Sequence, residues 1–394
     1  MAKTKTCLIR LALNTNDHPR LHFQNLDIIR FAAAFYVLLH HTFSYLFDVY
    51  HLPAFMLKSG GQKLPDDLLP ALVPLHQFIS NGPLGVDLFF LISGFLITSL
   101  LIHEKSIHER VDIKSFYLRR ILRIWPLYYF IIVFAYLFAH YYTGEPFFRK
   151  DIYPHLFFVS NFTQIAANSW CAGKLFMLWS LCIEEQFYLV IPLLLALVPV
   201  KKLPYVFIGF VLLSIGIRMQ LFHVYQYPWF AIYLHTGSRF DTLAIGCLLG
   251  YLNYAGFKFS FGPVVRILLG LWLVAALSFI NSIYYDSFMA AVFYKYVFII
   301  PMALLFLDLM QNVLPGLKNP FWQLINKLGK YSYGIYMYQV FLIVVADRWA
   351  GDYFSKSRWA FIAISFVLTL VVSVLSYEIF EKHFLKLKKR FEKV

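Results

Sequence analysis

The stretch GPLGVDLFFLISGFLITSLL, residues 82–101, decides the fold class. It holds a single charged side chain, Asp87, and its length matches the roughly 20 residues that an α-helix needs to cross the hydrocarbon core of a bilayer. Repeated runs of this kind would make a chain insoluble in water. The stretch therefore predicts a membrane-spanning helix.

Similar apolar runs continue along the whole 394-residue chain. Hydrophobic residues make up 60% of it and charged residues 14%, whereas soluble proteins carry about 25% charged residues. This composition excludes a soluble multidomain enzyme and a disordered chain. It predicts an all-α, polytopic membrane protein with about ten transmembrane helices. The predicted spans are 26–48, 78–102, 125–142, 179–200, 203–222, 238–255, 264–281, 292–310, 331–346 and 359–380.

Basic residues predict the orientation of these spans. The formal net charge is +14, and a ten-span arrangement places the basic clusters of the loops and of the tail on one side, as the positive-inside rule requires. The run 152–162 is too short to span, so it is expected to belong to a partly buried or re-entrant loop, 143–178. Both termini are then expected to be cytoplasmic.

The same reasoning divides the chain into three parts. We predict a cytoplasmic N-terminal segment at 1–24, a transmembrane domain at 25–384 and a basic cytoplasmic tail at 385–394. Nucleic-acid binding is not expected, because the basic residues mark topology. The four cysteines show no CxxC or Cys/His spacing, so no metal site is predicted.

Ionisable side chains within the first span are candidates for function, because charge at membrane depth is costly. At 100° per residue, Asp27, Arg30 and His41 share one helix face, whereas His40 lies about 80° away. His41 is expected to lie about 16 Å beyond Arg30 along the helix axis. An interfacial Asp–Arg pair with two packed histidines is the alternative interpretation.

Further acidic side chains lie in the second and fourth predicted spans. Asp87 could orient a histidine or a substrate hydroxyl, or simply bond to a neighbouring helix. Glu184, Glu185 and Gln186 are adjacent in the fourth span, so they cannot all face one partner helix, and one of them is expected to line a cavity. In the second span, the glycines at 82, 85 and 94 lie on either side of Asp87 and permit a neighbouring helix to approach closely.

Basic side chains cluster just before the third span. Arg119 and Arg123 form an i,i+4 pair, with Arg120 beside them. Planar guanidinium groups at this spacing suit a polyanion such as a nucleotide phosphate. Alternatively, they mark topology or bind lipid headgroups. Arg239 and Asp241 form a further predicted pair at a membrane edge.

Six motifs, in order along roughly residues 24–384, resemble the acyltransferase family 3 of integral-membrane acyltransferases. Each motif alone is a weak signal, whereas the ordered set is specific. The matching stretches are the Leu26–Asp27–Arg30–His41 start, GVDLFFLISGFLI (85–97), FYLRRILRIWP (116–126), WSLCIEEQFYLVIP (179–192), RFDTLAIG (239–246) and LGKYSYGIYMYQ (328–339).

The resemblance implies an enzyme of the bacterial inner membrane that moves an acyl group, most often acetyl, from acyl-CoA to a carbohydrate hydroxyl. The acceptor would be an envelope carbohydrate such as O-antigen of lipopolysaccharide, capsule or exopolysaccharide. Acetyl-CoA is thus the expected co-substrate, with no metal. Expected partners are the acyl-CoA, the carbohydrate acceptor and membrane lipids, and oligomeric state is not predicted.

Roles for single residues follow from the same resemblance. His41 would act as general base or transient acyl carrier, since imidazole titrates near neutrality. Asp87 or Glu184 would orient His41 or the acceptor. The remaining positions would bind donor phosphates (Arg30, Arg119, Arg120, Arg123) or order the site (Asp27, Trp179, Ser180, Arg239, Asp241).

Two positions depart from the family pattern. Gln339 stands where the late motif often has histidine, and His383 stands where the closing motif has proline. Both lie away from the first-span motif in sequence, so they are expected to affect acceptor or packing details rather than activity. No appended esterase-like domain is expected, so transfer would be completed by the membrane domain or by a partner protein.

Two other functional classes fit the composition and topology. In a transporter or flippase, intramembrane Asp, Arg and His side chains form a proton relay or a substrate path. A scaffold subunit of a polysaccharide-synthesis complex would tolerate loss of His41. Consumption of an acyl thioester that depends on His41 distinguishes the acyltransferase from both.

Overall fold

The computed structural model describes residues 23–49, 72–144, 149–170, 173–225, 228–280, 287–312, 319–353 and 357–391. These residues form helices and connecting turns, with no β-strand among them. Ten helices of 17 to 26 residues dominate this part of the chain. They are α1 Leu26–Val49, α2 Leu84–His108, α3 Ile113–Phe138, α4 Trp179–Leu197, α5 Leu203–Val224, α6 Thr236–Tyr254, α7 Pro263–Phe279, α8 Lys295–Gln311, α9 Ser332–Tyr353 and α10 Arg358–Ser376.

Shorter helical segments connect or extend these ten. Two π-helical turns prolong α3 and α10, and a one-turn 3-10 helix leads into α5. The shorter segments are Leu72–Ser80, Ala139–Thr143, Arg149–Leu156, Ser160–Ala167, Gly173–Leu178, Val200–Lys202, Pro228–Leu234, Phe288–Phe293, Pro320–Gly329, Tyr377–Glu381, Lys382–Lys388 and Lys389–Phe391.

The predicted fold class is confirmed. Among the described residues, seven helical segments are long and apolar enough to cross a membrane, and they contain α1 to α5, α8 and α10. The helix α7 is apolar but shorter, with 17 residues, and α6 and α9 carry more polar side chains. The count of ten spans and the cytoplasmic termini remain predictions, since residues 1–22 and 392–394 lie outside the described ranges.

Glycines bring α2 into backbone contact with its neighbours. A Cβ atom added at Gly94 would overlap the Leu243 carbonyl oxygen of α6, and one added at Gly246 would overlap the Leu91 carbonyl oxygen of α2. On the other side, a Cβ at Gly85 would lie 2.6 Å from the Ala33 carbonyl oxygen of α1. The sequence prediction that Gly85 and Gly94 allow close helix approach agrees with this packing.

One lysine fixes the end of α4 against α2. Nζ of Lys105 donates to the carbonyl oxygens of Leu195 at 2.8 Å, Ala196 at 3.0 Å and Val198 at 3.0 Å. The last carbonyls of a helix have no partner within it, and the helix dipole favours a cation there. The ammonium group therefore satisfies the carbonyl end of α4 and holds the two helices together.

The helix α1 lies between α2 and α9, which is the arrangement that forms the site. Its start abuts the end of the helix Pro320–Gly329, where a Cβ on Gly329 would overlap the Asp27 backbone. Further along, Ala34 and Leu38 of α1 share an apolar cluster with Ile335 and Ile343 of α9. The face of α1 that carries Arg30 and His41 is therefore enclosed by helices from both ends of the sequence.

Candidate active site

A cavity of about 100 Å³ lies among α1, α2, α3, α4 and α9. Three arginines and a single carboxylate line it, together with hydroxyl and apolar groups. The lining residues that matter for its chemistry are Arg30, Arg120, Arg123, Glu184, Tyr188, Ser180 and Tyr336.

The arginines of this cavity are held in different ways. Nη1 of Arg30 donates to Oδ1 of Asp27 at 3.2 Å. The guanidinium of Arg120 lies over the Tyr188 ring, 5.1 Å from its centroid, which is within cation–π range. Within the described part of the chain, neither Arg120 nor Arg123 has a carboxylate at ion-pair distance. Both are therefore available to an anion that enters the cavity.

The carboxylate of the cavity is bonded to hydroxyl groups. Oε2 of Glu184 accepts from Ser93 Oγ at 3.0 Å and from the Tyr188 hydroxyl. The expectation that one of the three adjacent polar residues of α4 lines a cavity therefore agrees with the structure. Its neighbour Glu185 accepts instead from the indole of Trp125, at 3.2 Å.

Arg119 lies outside the cavity, unlike the other arginines of its motif. It donates to Oε2 of Glu104 at 3.2 Å and to the carbonyl oxygen of Phe391 at 2.7 Å. Of the predicted i,i+4 pair Arg119 and Arg123, only Arg123 lines the cavity. The helix α3 begins at Ile113, where Asp112 caps it, and turns Arg120 and Arg123 inward.

His41 lies beyond the end of the cavity and does not line it. Its ring packs edge-on against Phe176, with centroids 5.9 Å apart, and next to His40 at 5.4 Å. The cavity wall comes close to Phe176, because the hydroxyl of Tyr336 donates to the carbonyl oxygen of Met177 at 2.8 Å. Ser180 bonds to the same hydroxyl at 2.7 Å.

Gln339 lies beside His41, contrary to the expectation that this departure is remote from the first-span motif. Its side chain is within interaction range of the His41 ring, because α1 and α9 pack against each other. The substituted position is thus part of the histidine's surroundings. No sequence pattern signalled this contact, since it depends on how two distant helices meet.

Neither predicted orienting carboxylate bonds to His41. Asp87 accepts from Arg239 Nη2 at 2.8 Å and from Thr242 Oγ1 at 3.1 Å, so it joins α2 to α6. Glu184 lies in the cavity with the arginines. Asp87 therefore bonds to a neighbouring helix, which is one of the roles that the sequence analysis allowed for it.

Arg239 and Asp241 are not paired with each other, which corrects the predicted edge pair. Asp241 accepts from Arg218 at 2.6 Å and from Lys295 at 2.7 Å, and all three side chains are buried. The sequence analysis missed Arg218 and Lys295. A usable signal was present, because each is a charged residue inside a predicted apolar span.

The fourth motif contains Trp179 and Ser180, which the sequence analysis expected to order the site. The two side chains contact different residues. The guanidinium of Arg239 lies 5.7 Å from the Trp179 ring centroid, so the indole supports the ion pair that joins α2 to α6. Ser180 bonds to Tyr336, as described above.

The described residues contain no group of three His, Cys, Asp or Glu side chains that could hold a metal ion.

Comparison with known families identifies the chain. The family model described as an acyltransferase domain matches residues 23–378, nearly all of the sequence. The chain belongs to acyltransferase family 3. The resemblance drawn from its six motifs is therefore confirmed.

The curated relatives of this chain include proteins named as O-acetyltransferases of Staphylococcus aureus. O-acetyltransferase OatA of strain NCTC 8325 is 36% identical over 188 residues, which cover 45% of this chain and 31% of OatA. The protein named "Putative O-acetyltransferase SACOL0978" of strain COL is 30% identical over 341 residues, or 79% of this chain and 54% of that protein. The matched regions thus span about half of these relatives or less. No solved structure is significantly similar to the chain.

Proposed function

We propose that this acyltransferase is an O-acetyltransferase that uses acetyl-CoA from the cytoplasm and a carbohydrate hydroxyl of the bacterial envelope. The observation that carries the proposal is the arginine-lined cavity, with a histidine beyond its end on the same helix as Arg30. The relatives named as O-acetyltransferases support acetyl as the transferred group. The bacterial inner membrane is the matching location, because the donor is made in the cytoplasm.

Donor binding would use the positive charge of the cavity. Arg120 and Arg123 would hold the phosphates of acetyl-CoA through charge-assisted hydrogen bonds, and Arg30, kept in place by Asp27, would lie further along the path. The thioester arm would then extend toward Tyr336 and the histidine beyond it.

His41 would act as the general base in the transfer. Its free nitrogen takes the proton of the acceptor hydroxyl while the hydroxyl oxygen attacks the thioester carbonyl carbon. The C–S bond then breaks, and the departing thiolate of CoA takes the proton from the imidazolium. His41 is thus returned to its starting state, and the net reaction forms one ester and releases one thiol.

The test uses purified protein in nanodiscs with radiolabelled acetyl-CoA and a panel of envelope glycans. His41→Ala should abolish CoA release and transfer, because the base is lost, while donor binding persists. His40→Ala is the matched control, since the neighbouring ring bonds to the Ile79 carbonyl oxygen at 3.2 Å and takes no part in the proposed chemistry. It should retain transfer.

Other outcomes would redirect the assignment. Near-normal transfer by His41→Ala would move the chemistry to another residue. Wild-type protein that neither binds nor consumes acetyl-CoA or a second acyl-CoA would make a transporter of envelope saccharides the leading function.

A further inference from the structure

His41 and Gln339 each leave one buried polar atom without a hydrogen-bond partner. The atoms are Nδ1 of His41 and Oε1 of Gln339. The two side chains are within interaction range, on helices that pack together. A neutral imidazole nitrogen that carries hydrogen is a donor, and an amide oxygen is an acceptor. The two unpaired atoms are therefore chemically complementary.

The backbone of α9 fixes which end of the Gln339 amide is free. Nε2 of Gln339 donates to the carbonyl oxygen of Tyr336, at 3.2 Å. A flipped amide would place two oxygen atoms against each other, and hydrogen-bond networks decide such assignments. The carbonyl oxygen of the side chain is thus the group that remains for His41.

The geometry points to Gln339 as the positioning residue of His41. In this role its Oε1 would accept the hydrogen of Nδ1 and thereby keep the lone pair on Nε2, the ring nitrogen that is not among the buried unpaired atoms. In a neutral imidazole only one nitrogen can act as base, and the hydrogen bond at the other nitrogen selects it. The inference rests on the proposed function, in which His41 is the base.

The proton transfers of the proposed reaction are consistent with this role. Nε2 takes the proton of the acceptor hydroxyl, and the resulting imidazolium keeps Nδ1–H on the Gln339 oxygen. Nε2 then returns its proton to the thiolate of CoA. Gln339 contacts neither substrate and gains or loses no proton, so it acts through His41.

The family's frequent residue at this position provides a rescue variant. A neutral histidine at position 339 also offers an acceptor nitrogen, so Gln339→His should preserve the function of the amide oxygen. Gln339→Met keeps the length of the side chain but removes the acceptor. Gln339→Asn keeps the amide but shortens its reach, and it serves as the second loss variant if the methionine variant does not fold.

The experiment measures kcat and KM for acetyl-CoA and a transferable glycan in nanodiscs, with thermal unfolding as a control for folding. Gln339→Met and Gln339→Asn should lower kcat roughly tenfold or more, because general-base catalysis contributes about 10²–10⁴-fold and depends on orientation. The KM for acetyl-CoA should be unchanged. Gln339→His should retain most of the wild-type kcat.

A matched control separates positioning from packing. Gln311→Met removes a partly buried amide that bonds to Phe257, Phe259 and Asn253 and to no residue of the site. Its kcat should equal that of wild type. Wild-type kcat in Gln339→Met would overturn the inference. So would equal losses in Gln339→Met and Gln339→His, since these would indicate a requirement for shape alone. Activity in His41→Ala would instead contradict the proposed function.

Discussion

Individual arginines of one motif have different surroundings in this protein. Arg120 and Arg123 face the cavity, whereas Arg119 is engaged by Glu104 and by the Phe391 carbonyl oxygen. Two arginines of this motif therefore line the candidate ligand site, whereas the third makes an interhelical contact. This division can be tested residue by residue.

Loss of a cavity arginine should weaken donor binding. Arg120→Ala and Arg123→Ala should each reduce acetyl-CoA affinity roughly 10-fold or more, because a hydrogen bond to a charged group contributes about 1.5–3 kcal/mol. Radioligand binding in nanodiscs measures the change. Arg119→Ala is the matched control and should leave affinity unchanged while lowering thermal stability. Equal losses in all three variants would contradict this division of the motif.

Contacts within a single helix could be predicted from the sequence, whereas contacts between helices could not. The shared face of Asp27, Arg30 and His41 needs only the helical period, and Asp27 does bond to Arg30. The position of Gln339 beside His41 could not be predicted, because it depends on the packing of α1 against α9. Helical period alone likewise could not show which arginines of α3 turn toward the cavity.

The contact between helices α2 and α6 has almost no space for side chains at its closest points. Gly94 and Gly246 each meet a carbonyl oxygen of the opposite helix, and the Asp87–Arg239 ion pair joins the same two helices. Close backbone approach of this kind gains dispersion energy that bulkier residues would prevent.

A methyl group at this contact should therefore destabilise the protein. Gly94→Ala should lower the free energy of unfolding by about 1–3 kcal/mol, the usual cost of overpacking. Thermal unfolding in detergent measures the effect. Gly270→Ala on α7 is the matched control, because a Cβ there meets no atom within 4 Å. A Gly94→Ala protein as stable as the control would contradict the proposed cause.

Helix positions were easier to predict than helix partners. The ten apolar runs each overlap one of the ten long helices, since run length reflects the membrane's thickness. The helix α3 starts twelve residues before its predicted apolar run, at Ile113 rather than 125, because its first turns carry the arginines. Which acid meets which base could not be predicted, as the Asp241 contacts with Arg218 and Lys295 show.

The whole molecule is predicted to have an even number of spans. A fluorescent-protein fusion after Val394 should fluoresce and an alkaline-phosphatase fusion there should be inactive, because the basic tail is expected to remain cytoplasmic. The same phosphatase inserted after Gly144, in the 143–178 loop, should be active and serves as the matched control. Active phosphatase at the C-terminus would contradict the ten-span arrangement.

The tight contact between α2 and α6 has a mechanical consequence. Two helices joined backbone to backbone and by an ion pair will move as one rigid body. A similar close approach at Gly85 joins α2 to α1, where an added Cβ would lie 2.6 Å from the Ala33 carbonyl oxygen, so α1 is coupled to this pair. Arg30 and His41 both lie on α1, which is one continuous helix. Any tilt of α1 on donor capture would therefore be transmitted along the helix to the histidine, about 16 Å away.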